Sequence, residues 1–166
     1  MPSFVTSPED RAHATTVAGH PFTMPRRLRR NRLVGRWIAA WLGATTLGVA
    51  NAGVRRLVYA DRVGELTAHQ ISTVTLLAAL TYYVWLVDRR WPLPTTPTAL
   101  AIGGSWAALT VLFEFGLGRY VLGSSWSDLL ANYNLAAGRI WVLVPVWMAL
   151  EPAVRRAASG RPELAA

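Results

Sequence analysis

Four apolar stretches, at residues 33–54, 66–87, 99–117 and 135–154, take up most of the chain and restrict it to helices packed in or against a bilayer. A helix crosses a hydrocarbon core of about 30 Å with about 20 residues, and the first three stretches reach that length. The fourth is shorter at heart, because its uncharged centre, Ile140 to Leu150, covers only about 16 Å at helical rise. It spans if Arg139 and Glu151 snorkel toward opposite interfaces, and Pro145 is expected to kink it; a re-entrant segment is the alternative. The expected fold is all-α, a bundle of four transmembrane helices.

Charge supports this reading. Only 16% of the 166 residues are charged, against about 25% in a soluble domain. The 17 basic residues, all arginine, outnumber 9 acidic ones to give +8. Because these arginines flank apolar runs, the partners they imply are the bilayer and its anionic headgroups, not nucleic acid. Six arginines from Arg26 to Arg36, with Arg89, Arg90, Arg155, Arg156 and Arg161, fall on one side of the spans; Arg55, Arg56, Arg62, Arg119 and Arg139 fall on the other. The arginine-rich side faces the cytoplasm, so the expectation is a multi-pass protein of a bacterial cytoplasmic (inner) membrane, N-in and C-in. Trp37, Trp41, Trp85 and Trp91 are expected at the inner interface and Trp126 and Trp141 at the outer one.

The polar, proline-containing residues 1–24 read as a disordered cytoplasmic tail, residues 25–156 as the membrane domain and residues 157–166 as a second cytoplasmic tail. Met24 is an alternative start. The basic stretch, the apolar run from Trp37 to Val49 and Ala50-Asn51-Ala52 together imitate a cleavable signal peptide. Against cleavage, Ala40, Ala44, Gly48 and Ala52 recur every four residues as a small-residue ridge, which suits a retained packing helix. Between the third and fourth stretches, Ser125 and Asp128 have the spacing of a capping box and predict a short interfacial helix.

Once the orientation is set, the polar residues gather on the outer side. Glu65 and His69 share a helix face at the start of the second span, with Ser72 continuing it inward. Glu114 interrupts the third span near its end, where a carboxylate is costly unless it faces a polar interior, and Arg119 follows it. Asp128, Tyr133, Asn134 and Arg139 precede or enter the fourth span. Arg139 and His69 are the expected partners of an inward-facing Glu114, and Arg119 is its partner if it snorkels. Arg119 and Arg139 have the forked donors that bind carboxylate or phosphate. Glu65 and His69, joined by Glu114 or Asp128, have the donor types of a metal site, but no site is assigned. With no cysteine there is no thiolate nucleophile, and Gly116-Leu117-Gly118 ends a membrane helix instead of following a strand, so no nucleotide or other cofactor is implied.

Gly64-Glu65-Leu66-Thr67-Ala68-His69-Gln70, Phe113-Glu114-Phe115 leading to Arg119-Tyr120-Val121, Asp128-Leu129-Leu130, Tyr133-Asn134 and Gly138-Arg139 together resemble a group of small bacterial four-helix integral membrane proteins of uncharacterised function. The resemblance covers roughly residues 33–155. It implies a fold, a location and interest in the outer polar cluster, and brings no activity. Those relatives often carry histidine where this chain has Arg119, so a titrating role is not carried over to that position.

Three functions fit these residues. The first is a small transport or channel component or accessory subunit, whose polar site takes a small anion, a proton or a lipid headgroup; conduction would then require a homo-oligomer, with the small-residue ridge as its packing face. The second is a membrane-embedded enzyme acting on a lipid or envelope precursor through Glu65, His69 and Glu114 with Arg119 or Arg139. The third is a structural or partner-binding protein whose polar cluster only stabilises loops.

Overall fold

The computed structural model describes residues 26–160; the expected tail at 1–24, the alternative start at Met24 and residues 161–166 of the expected tail at 157–166 lie outside the described residues, while Ala157 and Ala158 of that tail belong to the last helix. The first apolar stretch forms α1 (Arg26–Val54), which continues through a π-helical turn (Arg55–Tyr59) into α2 (Ala60–Val63). Gly64, at φ +81°, takes a backbone conformation that L side chains resist and turns the chain into α3 (Glu65–Arg90). Helix α4 (Thr96–Gly116) starts where the Thr95 hydroxyl accepts the Thr98 N–H, and it runs into a second π-helical turn, Leu117–Val121. A short α5 (Trp126–Ala131), a 3-10 turn (Leu135–Ala137) and α6 (Leu143–Ala158) complete the described chain.

Among the described residues three helices are long and apolar enough to cross a membrane: Arg30–Val63, Glu65–Arg90 and Thr96–Val121. Their outer faces carry large apolar side chains, with Leu42 60% and Leu112 69% exposed. An apolar belt of this kind on a water-soluble surface would be an aggregation site, whereas in lipid it is the ordinary exterior. The fourth stretch behaves differently. Asn134 caps the 3-10 turn and Gly138, at φ +76°, ends it, so helix resumes only at Leu143. The 16 residues of α6 extend about 24 Å, short of the hydrocarbon thickness.

This late start changes the expectations for two residues. Pro145 falls in the first turn of α6, where its missing N–H has no carbonyl to bond, so no kink follows from it; Pro152 is the proline within the helix. Glu151 does not snorkel. It is 1% exposed and pairs with Arg155 one turn on, at 3.6 Å from Nε to Oε1.

Tryptophans build the core. Trp37 and Trp106 are both fully buried with ring centroids 5.8 Å apart. The Trp106 indole N–H donates to the Trp37 carbonyl at 2.9 Å, and the Trp37 indole N–H donates to the Trp91 carbonyl at 2.9 Å. Trp37 is thus a core residue and not a member of an interfacial belt. Trp85 and Trp91 do lie under arginine guanidinium groups, Arg89 over Trp85 at 4.7 Å and Arg36 over Trp91 at 5.6 Å. Close helix approach is set by glycine. Gly43 faces the Tyr83 ring, whose hydroxyl donates to the Ala40 carbonyl at 2.9 Å, and Gly103 meets the backbone carbonyls of Met148 and Ala149.

The ridge on α1 serves two purposes. Ala40 and Ala44 pack into the core within the chain itself, so this half of the ridge is not free to meet a second copy. Gly48 and Ala52, farther along, line open space.

Candidate functional site

At the end where α1, α3, α4 and α6 turn over, the helices enclose a cavity of about 560 Å³. Its origin lies in side-chain size. Helices α1 and α4 are pinned together where the Trp41 indole donates to Thr110 Oγ1 at 3.0 Å and the Trp41 ring meets Phe113 edge-on at 6.3 Å. Beyond that layer α1 presents Gly48, Ala52 and Gly53, too small to fill the gap, and a Cβ added at Gly48 or Gly53 would meet nothing within 4 Å. Both π-helical turns sit at this level and contribute lining residues, Arg55 and Arg56 from the first and Leu117 and Gly118 from the second. Such turns recur at functional sites because the inserted residue widens the helix.

The cavity is apolar at depth and polar at its mouth. Leu76, Leu80, Val144 and Met148, with the hydroxyls of Thr45 and Thr110, line the inner part; the charged and amide groups Arg55, Arg56, Glu114 and Asn132, with His69, line the outer part beside Leu117 and Leu122. Glu114 is placed by the end of α4 and is held there by neutral donors. Its Oε2 accepts the Tyr133 hydroxyl at 2.6 Å and the Trp141 indole N–H at 2.8 Å. The expected cationic partners are engaged elsewhere: Arg139 donates to Asn132 Oδ1 at 2.9 Å, while Arg119 reaches the Ser124 carbonyl and lies over the Trp126 ring. Of these groups Asn132 and Glu114 line the cavity, and Glu114 stays out of salt-bridge range of either guanidinium.

Of the other residues picked out by sequence, His69 lines the cavity with its ring edge-on to Trp141 at 5.9 Å, and its buried Nδ1 has no hydrogen-bond partner. Glu65 is exposed and makes no hydrogen bond to His69, so the carboxylate–imidazole relay suggested by their spacing does not assemble. Ser72 is buried and binds Asn51, whose side-chain amide donates to Ser72 Oγ at 2.6 Å. Asp128 is a capping residue: Ser125 and Asp128 cap one another's backbone N–H groups at the start of α5, as their spacing predicts. Asn134 likewise caps the 3-10 turn, through its carbonyl oxygen and the Ala137 N–H. Among the described residues no three of His, Asp and Glu gather closely enough to hold a metal ion.

Sequence reasoning missed Trp141, Asn132 and the pair Arg55–Arg56. Trp141 passed for an interfacial belt residue, and only the tertiary fold brings it to Glu114 across 27 positions. Arg55 and Arg56 were legible as outer arginines, but nothing in their spacing shows that a π-helical turn directs both to one cavity.

Burial, followed by the hydrogen bond to Glu114, pushes the Tyr133 phenol well above its ordinary value. A raised phenol adds stability in full below its unfolded-state value of about 10, and that stability is lost as pH rises beyond it. Tyr133→Phe is therefore expected to cost about 1 kcal/mol at neutral pH, with no change between pH 6 and 9. Unfolding midpoints of variant and wild type should converge above pH 10; a gap that persists at high pH would contradict the Tyr133–Glu114 bond.

The far end of the molecule carries its own buried ionisable side chains. Asp88, Glu151 and Arg156 are all at least nine-tenths buried there, and Arg156 donates to the Pro94 carbonyl at 3.1 Å. Burial of these three side chains sets them apart from the exposed arginines Arg89 and Arg90 at the same end.

The fold and the cavity together define an all-helical protein with three membrane-length helices and a polar-mouthed cavity at the end opposite most of its arginines. Comparison with protein-family models, with curated proteins and with solved structures finds no match.

Proposed function

We propose that this chain is a multi-pass protein of a bacterial cytoplasmic membrane that holds a small ligand in a cavity open to the extracytoplasmic side, as a transport component or as the accessory subunit of one. The observation that carries the reading is the cavity, apolar below and polar at the rim, built by helices that would otherwise close. Volumes of about 300–1,000 Å³ with a few convergent polar groups are those of small-molecule sites, and 560 Å³ falls in that range. Among the described residues the ten arginines in helix toward the far end against five toward the cavity end support N-in, C-in orientation with the cavity outward. In that frame α6 is a short fourth span, with the 3-10 segment before it completing the crossing at the outer interface. Anionic headgroups of the inner leaflet are the partners of the arginine-rich end.

An enzyme would need an oriented imidazole or a carboxylate within reach of it, and the unpartnered Nδ1 of His69 supports a binding site in preference. Reconstituted vesicles test transport with three probes: protons, chloride and a fluorescent phosphatidylglycerol analogue moving between leaflets. At least one is expected to move faster than in protein-free vesicles, and to slow in Glu114→Gln and Arg139→Gln. Rates equal to those of empty vesicles for all three would reject transport and leave the accessory role.

A further inference from the structure

We infer that the occupant of the cavity is a single-chain segment of an anionic amphiphile, its apolar chain lying between α1 and α4 and its phosphate-bearing head held by Arg55 and Arg56. The inference rests on the ligand-binding reading above and names the ligand class.

Depth is the first argument. From Ala44 at the floor to Arg55 at the rim, the cavity follows eleven residues of helix, or about 16 Å. Half of a hydrocarbon core of about 30 Å is about 15 Å. The floor then lies at mid-bilayer and the arginines at the headgroup level of one leaflet, which is the vertical extent of one lipid chain.

Access is the second. Val49 and Leu122 line the cavity while being 56% and 61% exposed on the outer surface of the bundle, one on α1 and one beyond α4. The cavity wall is thus continuous with the lipid-facing surface, and a chain enters sideways from the bilayer without crossing water.

Charge is the third. Arg55 and Arg56 both line the mouth, and neither has a carboxylate within salt-bridge range among the described residues. The one carboxylate on the rim, Glu114, already accepts two hydrogen bonds on Oε2 from Tyr133 and Trp141. Two guanidinium groups with forked donors favour a phosphate head of net negative charge over a zwitterionic one, whose own ammonium opposes two further cations, and over a neutral one.

Purified protein in a maltoside detergent tests this with three probes: lyso-phosphatidylglycerol, lyso-phosphatidylcholine and inorganic phosphate. Wild type is expected to bind the glycerol lipid about tenfold more tightly than the choline lipid, the worth of one charge-assisted contact, and phosphate alone far more weakly than either. Arg55→Gln/Arg56→Gln should abolish the preference, weakening the glycerol lipid about tenfold more than the choline lipid, whose phosphate also loses its donors. Gly48→Leu, which places a side chain in the open space of the cavity, should weaken both lipids at least tenfold, with Gly53→Leu as a second filling variant; thermal midpoints establish that each variant is folded. Equal binding of the two lipids to wild type, a preference that survives the double arginine change, or phosphate binding as tightly as the lipid overturns the inference. Binding unchanged in both glycine variants overturns the cavity reading itself.

Discussion

Gly103→Leu is expected to break the pairing of α4 with α6 and to destabilise the protein by about 3 kcal/mol or more, the upper range for forced overpacking. A Cβ on Gly103 would run into the carbonyl of Ala149, which is backbone and cannot rotate aside, with the Met148 carbonyl close behind. The only relief is to separate the two helices, and that separation would open the apolar floor of the cavity at Val144 and Met148. The neighbouring Gly104 supplies the control. A side chain there meets nothing within 4 Å, so Gly104→Ala is expected to be neutral or to gain about 0.5–1 kcal/mol from reduced backbone entropy. Unfolding by denaturing detergent, read by circular dichroism, checks both. Equal midpoints for leucine at 103 and alanine at 104 would contradict the close α4–α6 crossing.

Trp106→Ala is expected to cost about 3 kcal/mol, within the range for deleting a buried aromatic. The cost in a bilayer comes from lost packing and not from water exposure, since unfolded segments remain in lipid. Trp106 packs on Trp37 and lies 6.5 Å from the Tyr83 ring, so its removal leaves a void shared by three helices. Trp106→Phe retains most of that packing and loses the N–H bond to the Trp37 carbonyl, about 1 kcal/mol. The same detergent titration should therefore rank wild type above phenylalanine and phenylalanine above alanine. An alanine variant as stable as wild type would put Trp106 on the lipid side of the helix.

How far the sequence could reveal these features depends on the range of the interactions that make them. Length and apolarity determine a membrane helix locally, so the first three stretches were legible from residues alone, as was the Ser125–Asp128 cap, which closes over three positions. The late start of α6 was not, because hydropathy over 135–154 records apolar character and not conformation; Gly138 and the Asn134 cap override it. Trp37 misled for a related reason. An aromatic ring flanked by arginines has the composition of an interface whether it points to lipid or to another helix, and here it meets Trp106 at a separation of 69 residues.

The candidate site was legible in part. Glu114 stood out as a carboxylate inside an apolar span, which cost alone sends either to a polar interior or to the interface; the fold turns it to the cavity. Its partners did not follow, because charge complementarity favours arginine on paper while the fold supplies the neutral donors Tyr133 and Trp141. The ridge of small residues was visible too, but periodicity cannot say whether small side chains admit a neighbouring helix or leave a space. Ala40 and Ala44 do the first, and Gly48 and Ala52 the second.

The central claim is a membrane-embedded bundle with a cavity open to the extracytoplasmic side, and single-cysteine labelling tests it most directly, because the chain has no cysteine of its own. Ala52→Cys lies in the cavity, Ala158→Cys at the arginine-rich end and Leu42→Cys on the apolar exterior. Intact bacteria expressing each variant are treated with a membrane-impermeant maleimide. The account predicts labelling at position 52 in intact cells, at position 158 only after permeabilisation, and none at position 42 in either case. Labelling of position 158 in intact cells with position 52 protected would reverse the orientation, and rapid labelling at position 42 would take that face out of the bilayer; either result contradicts the account.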